Sequence, residues 1–224
     1  MPAAHPIQAV AKNIKLSEME NFNRKSHWEN IYETKPLDTV SWYQPHPATS
    51  LYFVNQFELS KTAKIIDIGG GDSFLADHLL KSGYEDITVL DISDTAIERA
   101  KSRLGSDALK VKWIVADASD FQPTEQYDFW HDRAAFHFLT EASDIESYIQ
   151  AAATAITDNG IAVIGTFSEQ GPKKCSGIEI KQYSGSTMTR QFSKHFEKAE
   201  CITADHHTPS GTVQNFVFCS FRKK

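Results

Sequence analysis

Three observations predict an α/β fold built on a mostly parallel sheet. Residues 64–160 alternate between short Ile/Val-rich runs and amphipathic helical stretches. The first apolar run closes on Asp67-Ile68-Gly69-Gly70-Gly71, a glycine turn between a strand and a helix. The last two apolar runs are separated by so short a connection that they must pair antiparallel, because a parallel pair needs a long crossover.

Composition sets the outer bounds. A chain of 224 residues suits one large domain, or one domain with an appendage, and buries a sizeable core. Hydrophobic residues make up 41% and charged residues 23%, the ordinary balance of a soluble globular protein. No apolar stretch approaches bilayer-crossing length, and residues 1–16 carry no apolar signal core, so a cytoplasmic protein with no membrane partner is expected. A net charge of −6 argues against a broad nucleic-acid surface, which needs a basic face. Cys175, Cys201 and Cys219 are odd in number and widely spaced, so neither a disulfide framework nor a zinc cluster is expected. Oligomeric state is left undetermined.

In chain order, Leu16, Met19, Phe22, His27, Trp28, Ile31 and Tyr32 recur at roughly helical spacing, predicting a helix over 16–34 that stops before Pro36. A second helix starts around His46-Pro47 and runs to about residue 59. Strands are predicted at 64–68, 86–90, 110–115, 127–131 and 160–167, with helices at 73–81, about 94–104 and about 142–157. A polar segment follows at 168–185, then a helix at about 187–196 and the closing antiparallel strands at 199–205 and 212–221.

The glycine turn separates two ligand classes. A dinucleotide fingerprint, G-x-G-x-x-G, needs its last Gly for close helix packing against a pyrophosphate. Counted from Gly69 that position is Phe74, and counted from Gly70 the second Gly is already Asp72. The pyrophosphate reading fails, and a ligand without phosphates is expected.

On these residues the chain resembles the class I S-adenosylmethionine-dependent methyltransferases. Their first motif, an acid followed by alternating glycines, is matched by Asp67-x-Gly69-x-Gly71, with Ser73 where many members carry another Gly. The resemblance implies a Rossmann-like seven-stranded sheet with an antiparallel last strand, helices on both faces and S-adenosyl-L-methionine as cofactor. It places Gly70 in the turn, Asp91 on the ribose hydroxyls, Ile92 on the adenine face, and Asp117 with the Ala118 backbone at the adenine amino group. It also brings His131 and Arg133, at the end of the fourth strand, to the methyl donor. The W-x-x-x-Y pattern of Trp28 and Tyr32, followed by Trp42, is similar to that of elongation-factor lysine methyltransferases and their bacterial relatives, where this segment covers the cofactor. Residues 1–59 are therefore expected as a lead-in and helical lid, and 60–224 as the methyltransferase core. Trp28 and Tyr32 would equally serve as core residues of one helical face.

The acceptor is less legible. A histidine of near-neutral pKa can take a proton from an acceptor, and the topology directs His137, His206 and His207 toward the edge of the sheet that carries the glycine turn. His137 is the first candidate base. No ligand spacing suggests a metal. A small-molecule acceptor is expected, with a protein lysine as the alternative and a non-catalytic S-adenosylmethionine-binding protein as the reading of another class.

Overall fold

A computed structural model describes residues 22–224. The expected lead-in, and Leu16 and Met19 of the first predicted helix, lie outside the described residues. Helix α1 (Arg24–Thr34) is capped by Asn23, whose side chain accepts from the Ser26 N–H at 2.9 Å, and it buries Ile31 and Tyr32. Helix α2 (Ala48–Gln56) follows Pro47 and ends before the predicted residue 59.

The core alternates as predicted: β1 (Lys64–Ile68), α3 (Leu75–Lys81), β2 (Asp86–Asp91), α4 (Asp94–Leu104), β3 (Val111–Val115), β4 (Tyr127–Arg133), α5 (Ala142–Ala155) and β5 (Ile156–Phe167). A two-residue hairpin, β6 (Lys174–Cys175) and β7 (Ile178–Glu179), interrupts the segment read as a polar connection. Ser176 and Gly177 both take positive φ (50° and 85°), the backbone of a tight primed hairpin turn. Helix α6 (Gly185–Phe192) and strands β8 (Phe196–His207) and β9 (Val213–Lys223) complete the chain.

The seven-stranded sheet has the order β3-β2-β1-β4-β5-β9-β8. Within this sheet β9 runs opposite to the other six strands, inserted antiparallel between β5 and β8. Side chains alternate across the strands, so Ile65, Phe129 and Val163 pack under α2, α3 and α4, while Ile66, Trp130 and Ile164 pack under α5 and α6. The chain reverses its winding direction between β1 and β4, and such a switch point opens a crevice beyond the carboxyl ends of the strands.

Contrary to the reading of isolated cysteines, Cys201 and Cys219 stand directly opposite each other on β8 and β9 and form a disulfide. Cys175 is free. Among the described residues no helix is long and apolar enough to cross a membrane.

Candidate active site

A cavity admitting water centres over about 130 Å³ lies at the switch point, floored by the ends of β1, β2 and β4 and roofed by α1 and the segment after it. The glycine turn forms one wall. Gly69 and Gly71 hold φ of +63° and +44°, and a side chain on Gly71 would start 2.8 Å from both Asp91 Oδ2 and Tyr32 Oη. Gly69 and Gly70 line the cavity, whereas Gly71 is packed behind it.

Asp91 closes β2 and is buried. Its Oδ1 accepts from the Ser93 N–H at 2.9 Å, and among the described residues Oδ2 accepts no hydrogen bond. Burial pushes its carboxyl up to about 7, with the Asp72, Asp67 and Glu29 charges adding to the effect. Beyond it, Ile92, Asp117 and Ala118 line one end of the cavity. Asp117 Oδ1 accepts from the Ser119 N–H and hydroxyl at 2.9 and 2.8 Å, while Oδ2 pairs with Arg24 at 3.1 Å.

The roof is aromatic. Trp28 meets Trp42 edge to face with centroids 5.8 Å apart, and Tyr32 lies 6.0 Å from Trp28 and 5.9 Å from Trp42. This roof is anchored by two caps exchanged with α4. Glu29 on α1 accepts from the Asp94 and Thr95 N–H groups and the Ser93 hydroxyl, satisfying the free donors at the α4 N-terminus. In return Arg99 on α4 donates to the Tyr32 and Lys35 carbonyls at the α1 C-terminus.

At the other end, His131 Nδ1 lies 2.7 Å from Asp67 Oδ1 and its Nε2 lies 2.9 Å from Ser50 Oγ. Arg133 donates from Nη1 to the Trp42 carbonyl at 3.1 Å, and its Nη2 is buried with no partner among the described residues. Burial lowers its guanidinium to about 10. Cys175, delivered by the β6–β7 hairpin, completes this end.

The structure thus brings Trp28, Tyr32, Trp42, Asp67, Asp91, His131 and Arg133 around one cavity, but none of the three histidines proposed as bases lines it. His137 lies in a 3₁₀ turn (Phe136–Phe138), wedged between the Phe138 and Phe167 rings. Its Nδ1 accepts from the Phe167 N–H at 3.3 Å, and burial beside Arg133 lowers its pKa to about 3. So low a pKa makes it a poor proton acceptor at neutral pH. His206 is buried and joined through Nε2 to the Ser41 carbonyl at 2.8 Å, and His207 is exposed at the end of β8. Sequence reasoning missed Ser50 and Arg24, which reach the cavity from other elements, and read Cys175 as one of three widely spaced cysteines.

Residues 65–160 match a methyltransferase domain family. The ubiquinone biosynthesis O-methyltransferase of Hydrogenovibrio crunogenus is 26% identical over 161 residues, which is 70% of this chain and 63% of that protein. The eEF1A lysine and N-terminal methyltransferase of Mus musculus is 26% identical over 110 residues, 49% of this chain and 16% of that protein. The chain therefore spans less than two thirds of either relative. An S-adenosylmethionine-dependent methyltransferase of Anabaena variabilis shares the fold with a TM-score of 0.70 at 13% identity, over 91% of this chain and 96% of that one. Together with the strand order and the glycine turn, these likenesses support a class I S-adenosylmethionine-dependent methyltransferase.

Proposed function

We propose that this protein transfers a methyl group from S-adenosyl-L-methionine to a small molecule. The reading rests chiefly on Asp91, a buried carboxylate at the end of β2 whose Oδ2 is left without a protein partner beside the glycine turn. A carboxylate in that place accepts two ribose hydroxyl protons and would repel a 2′-phosphate. Ile92, Asp117 and Ala118 would hold the adenine, while Gly69, Gly70 and Arg133 would hold the amino-acid end beside the Asp67–His131 pair, under the roof of Trp28, Tyr32 and Trp42. Gly71 would act indirectly, by leaving room for Asp91 and Tyr32. When bound, the cofactor supplies an activated methyl on a sulfonium, so the chain has mainly to align donor and acceptor and exclude water.

The wall around Ser50, His131, Arg133 and Cys175 is polar, which favours an enzyme over a non-catalytic binder. The tightly anchored roof favours a small acceptor over a protein lysine, and the relative that matches the larger share of this chain is named for ubiquinone biosynthesis. Residues 1–59 belong to this reading as lead-in and lid, residues 60–224 as the core, and a cytoplasmic setting without nucleic-acid or membrane partners goes with it.

Thermal unfolding with S-adenosylmethionine, S-adenosylhomocysteine and NAD tests the cofactor. Either sulfur ligand at 100 times its dissociation constant should stabilise the fold by about 2.7 kcal/mol, and NAD should not. Stabilisation by NAD alone would overturn the reading.

A further inference from the structure

We infer that Ser50, His131 and Asp67 form a proton relay that opens into the cavity at Ser50 and takes a proton from the methyl acceptor. The inference rests on the methyltransferase reading and extends it to the acceptor class. Asp67 and His131 are register partners on the adjacent parallel strands β1 and β4, and their side chains meet at 2.7 Å. Ser50, in the first turn of α2, reaches His131 Nε2 at 2.9 Å. Relative exposures of 1%, 2% and 3% for Ser50, His131 and Asp67 leave almost no contact with bulk water, yet all three line the cavity.

Hydrogen-bond chemistry gives the chain a direction. An ionised carboxylate only accepts, so Asp67 requires Nδ1 to carry the imidazole proton. In a neutral ring Nε2 is then an acceptor, and the Ser50 hydroxyl donates to it. Among the described residues no other group bonds to Ser50 Oγ, so its lone pairs are free for a donor in the cavity. A hydroxyl between an imidazole base and a ligand space, with a carboxylate behind the imidazole, is the geometry by which a buried His accepts a proton through Ser.

The step balances as follows. The acceptor atom gives its proton to Ser50 Oγ as the Ser50 proton passes to His131 Nε2. The freed lone pair forms the new bond to the methyl carbon, and the electrons of the broken C–S bond remain on sulfur. Asp67 stabilises the imidazolium until its proton leaves to water with the product. Such a relay serves an acceptor that has a proton to lose, a hydroxyl or an ammonium group. A thioether or tertiary amine has no use for it. Ser50 is the contact residue, and His131 and Asp67 act through it.

The test is nitrogen-15 NMR of the His131 ring at neutral pH in protein saturated with S-adenosylhomocysteine, paired with calorimetric titration of that ligand into Ser50→Ala. The relay predicts a neutral ring protonated on Nδ1, with Asp67→Asn moving the proton to Nε2. It also predicts a Ser50→Ala affinity within fivefold of the wild type, with the Nε2 resonance shifted. A proton on Nε2 in the wild type, or on both nitrogens, overturns the relay, because Ser50 would then accept from His131. A loss of more than fivefold in Ser50→Ala also overturns it, since Ser50 would be serving the cofactor. Wild-type protein that does not bind S-adenosylhomocysteine at all refutes the underlying methyltransferase reading instead. The wild-type tautomer decides the question even if Ser50→Ala does not fold.

Discussion

Replacing Asp91 by Asn separates the role proposed for its charge from that of its shape. The carboxyl is pushed up to about 7, first by burial and then by the charges of Asp72, Asp67 and Glu29, while the Ser93 N–H pulls the other way. A ribose that needs the ionised form must therefore bind against protonation below that value. Each pH unit below 7 then costs about tenfold in affinity, or roughly 1.4 kcal/mol. Between about pH 8 and pH 5.5 the dissociation constant of S-adenosylhomocysteine should rise about 30-fold. Asp91→Asn removes a charged acceptor, which should weaken binding by about 1.5–3 kcal/mol at pH 8, and it should flatten the pH dependence. Asp72 faces the same cavity, and its carboxyl is also raised by burial, against Arg99 and Arg103. Because Asp72 is present in both proteins, the difference between them isolates Asp91. Isothermal titration calorimetry across this range is the assay. A flat wild-type profile, or an Asn variant that keeps the slope, would refute the assignment.

Three further outcomes follow from the packing. Gly71→Ala forces a Cβ into left-handed backbone 2.8 Å from Asp91 Oδ2; the conformation alone costs about 1–2 kcal/mol, so the melting temperature should fall by several degrees and cofactor affinity with it. Tyr148→Phe removes the hydroxyl that donates to Asp132 at 2.6 Å and accepts from Trp130 Nε1 at 2.9 Å. Stranding these buried groups should cost about 1–3 kcal/mol, seen as a drop of roughly 2–4 °C per kcal/mol in a thermal melt. Burial raises Asp132 to about 6 in the fold, above its unfolded value of about 3.9, so its contribution to stability declines as pH rises between those values. Without the Tyr148 donor that decline should extend above pH 6 in a pH series of melts. Arg24→Ala breaks half-exposed pairs to Asp117 and Asp144 at one end of the cavity. It should change stability by no more than about 1 kcal/mol while accelerating S-adenosylhomocysteine dissociation in stopped-flow displacement.

What the sequence revealed was what its local patterns encode. Three Ile residues running into glycines and an acid closing the next Val/Leu run mark β1, β2 and the turn between strand and helix, because burial and backbone freedom are written within a few residues. Ser50 and Arg24 could not be read that way. Both are polar residues on helices whose periodicity marks only the apolar positions, and they reach the cavity through packing against residues many tens of positions away. His137 misled because it follows β4 closely, yet Ala134 turns the chain at φ 72° and the 3₁₀ turn folds the imidazole away from the cavity. The Cys201–Cys219 pair depended on register. A tight loop at 206–211 would put Asp205 beside Thr212, whereas the ladder continues to His207 opposite Val213 and shifts every partner. The β6–β7 hairpin did carry a local signal, Ser176-Gly177 at a primed turn, within a segment too short to show strand alternation.

The most direct test of the central claim uses methyl-labelled S-adenosylmethionine with the purified protein and a cell extract split into metabolite and protein fractions. The account predicts stoichiometric S-adenosylhomocysteine and label in a compound of the metabolite fraction, both abolished in Asp91→Ala. Label confined to the protein fraction would contradict a small-molecule acceptor, and no transfer in either fraction by protein that binds the cofactor would contradict the enzyme itself.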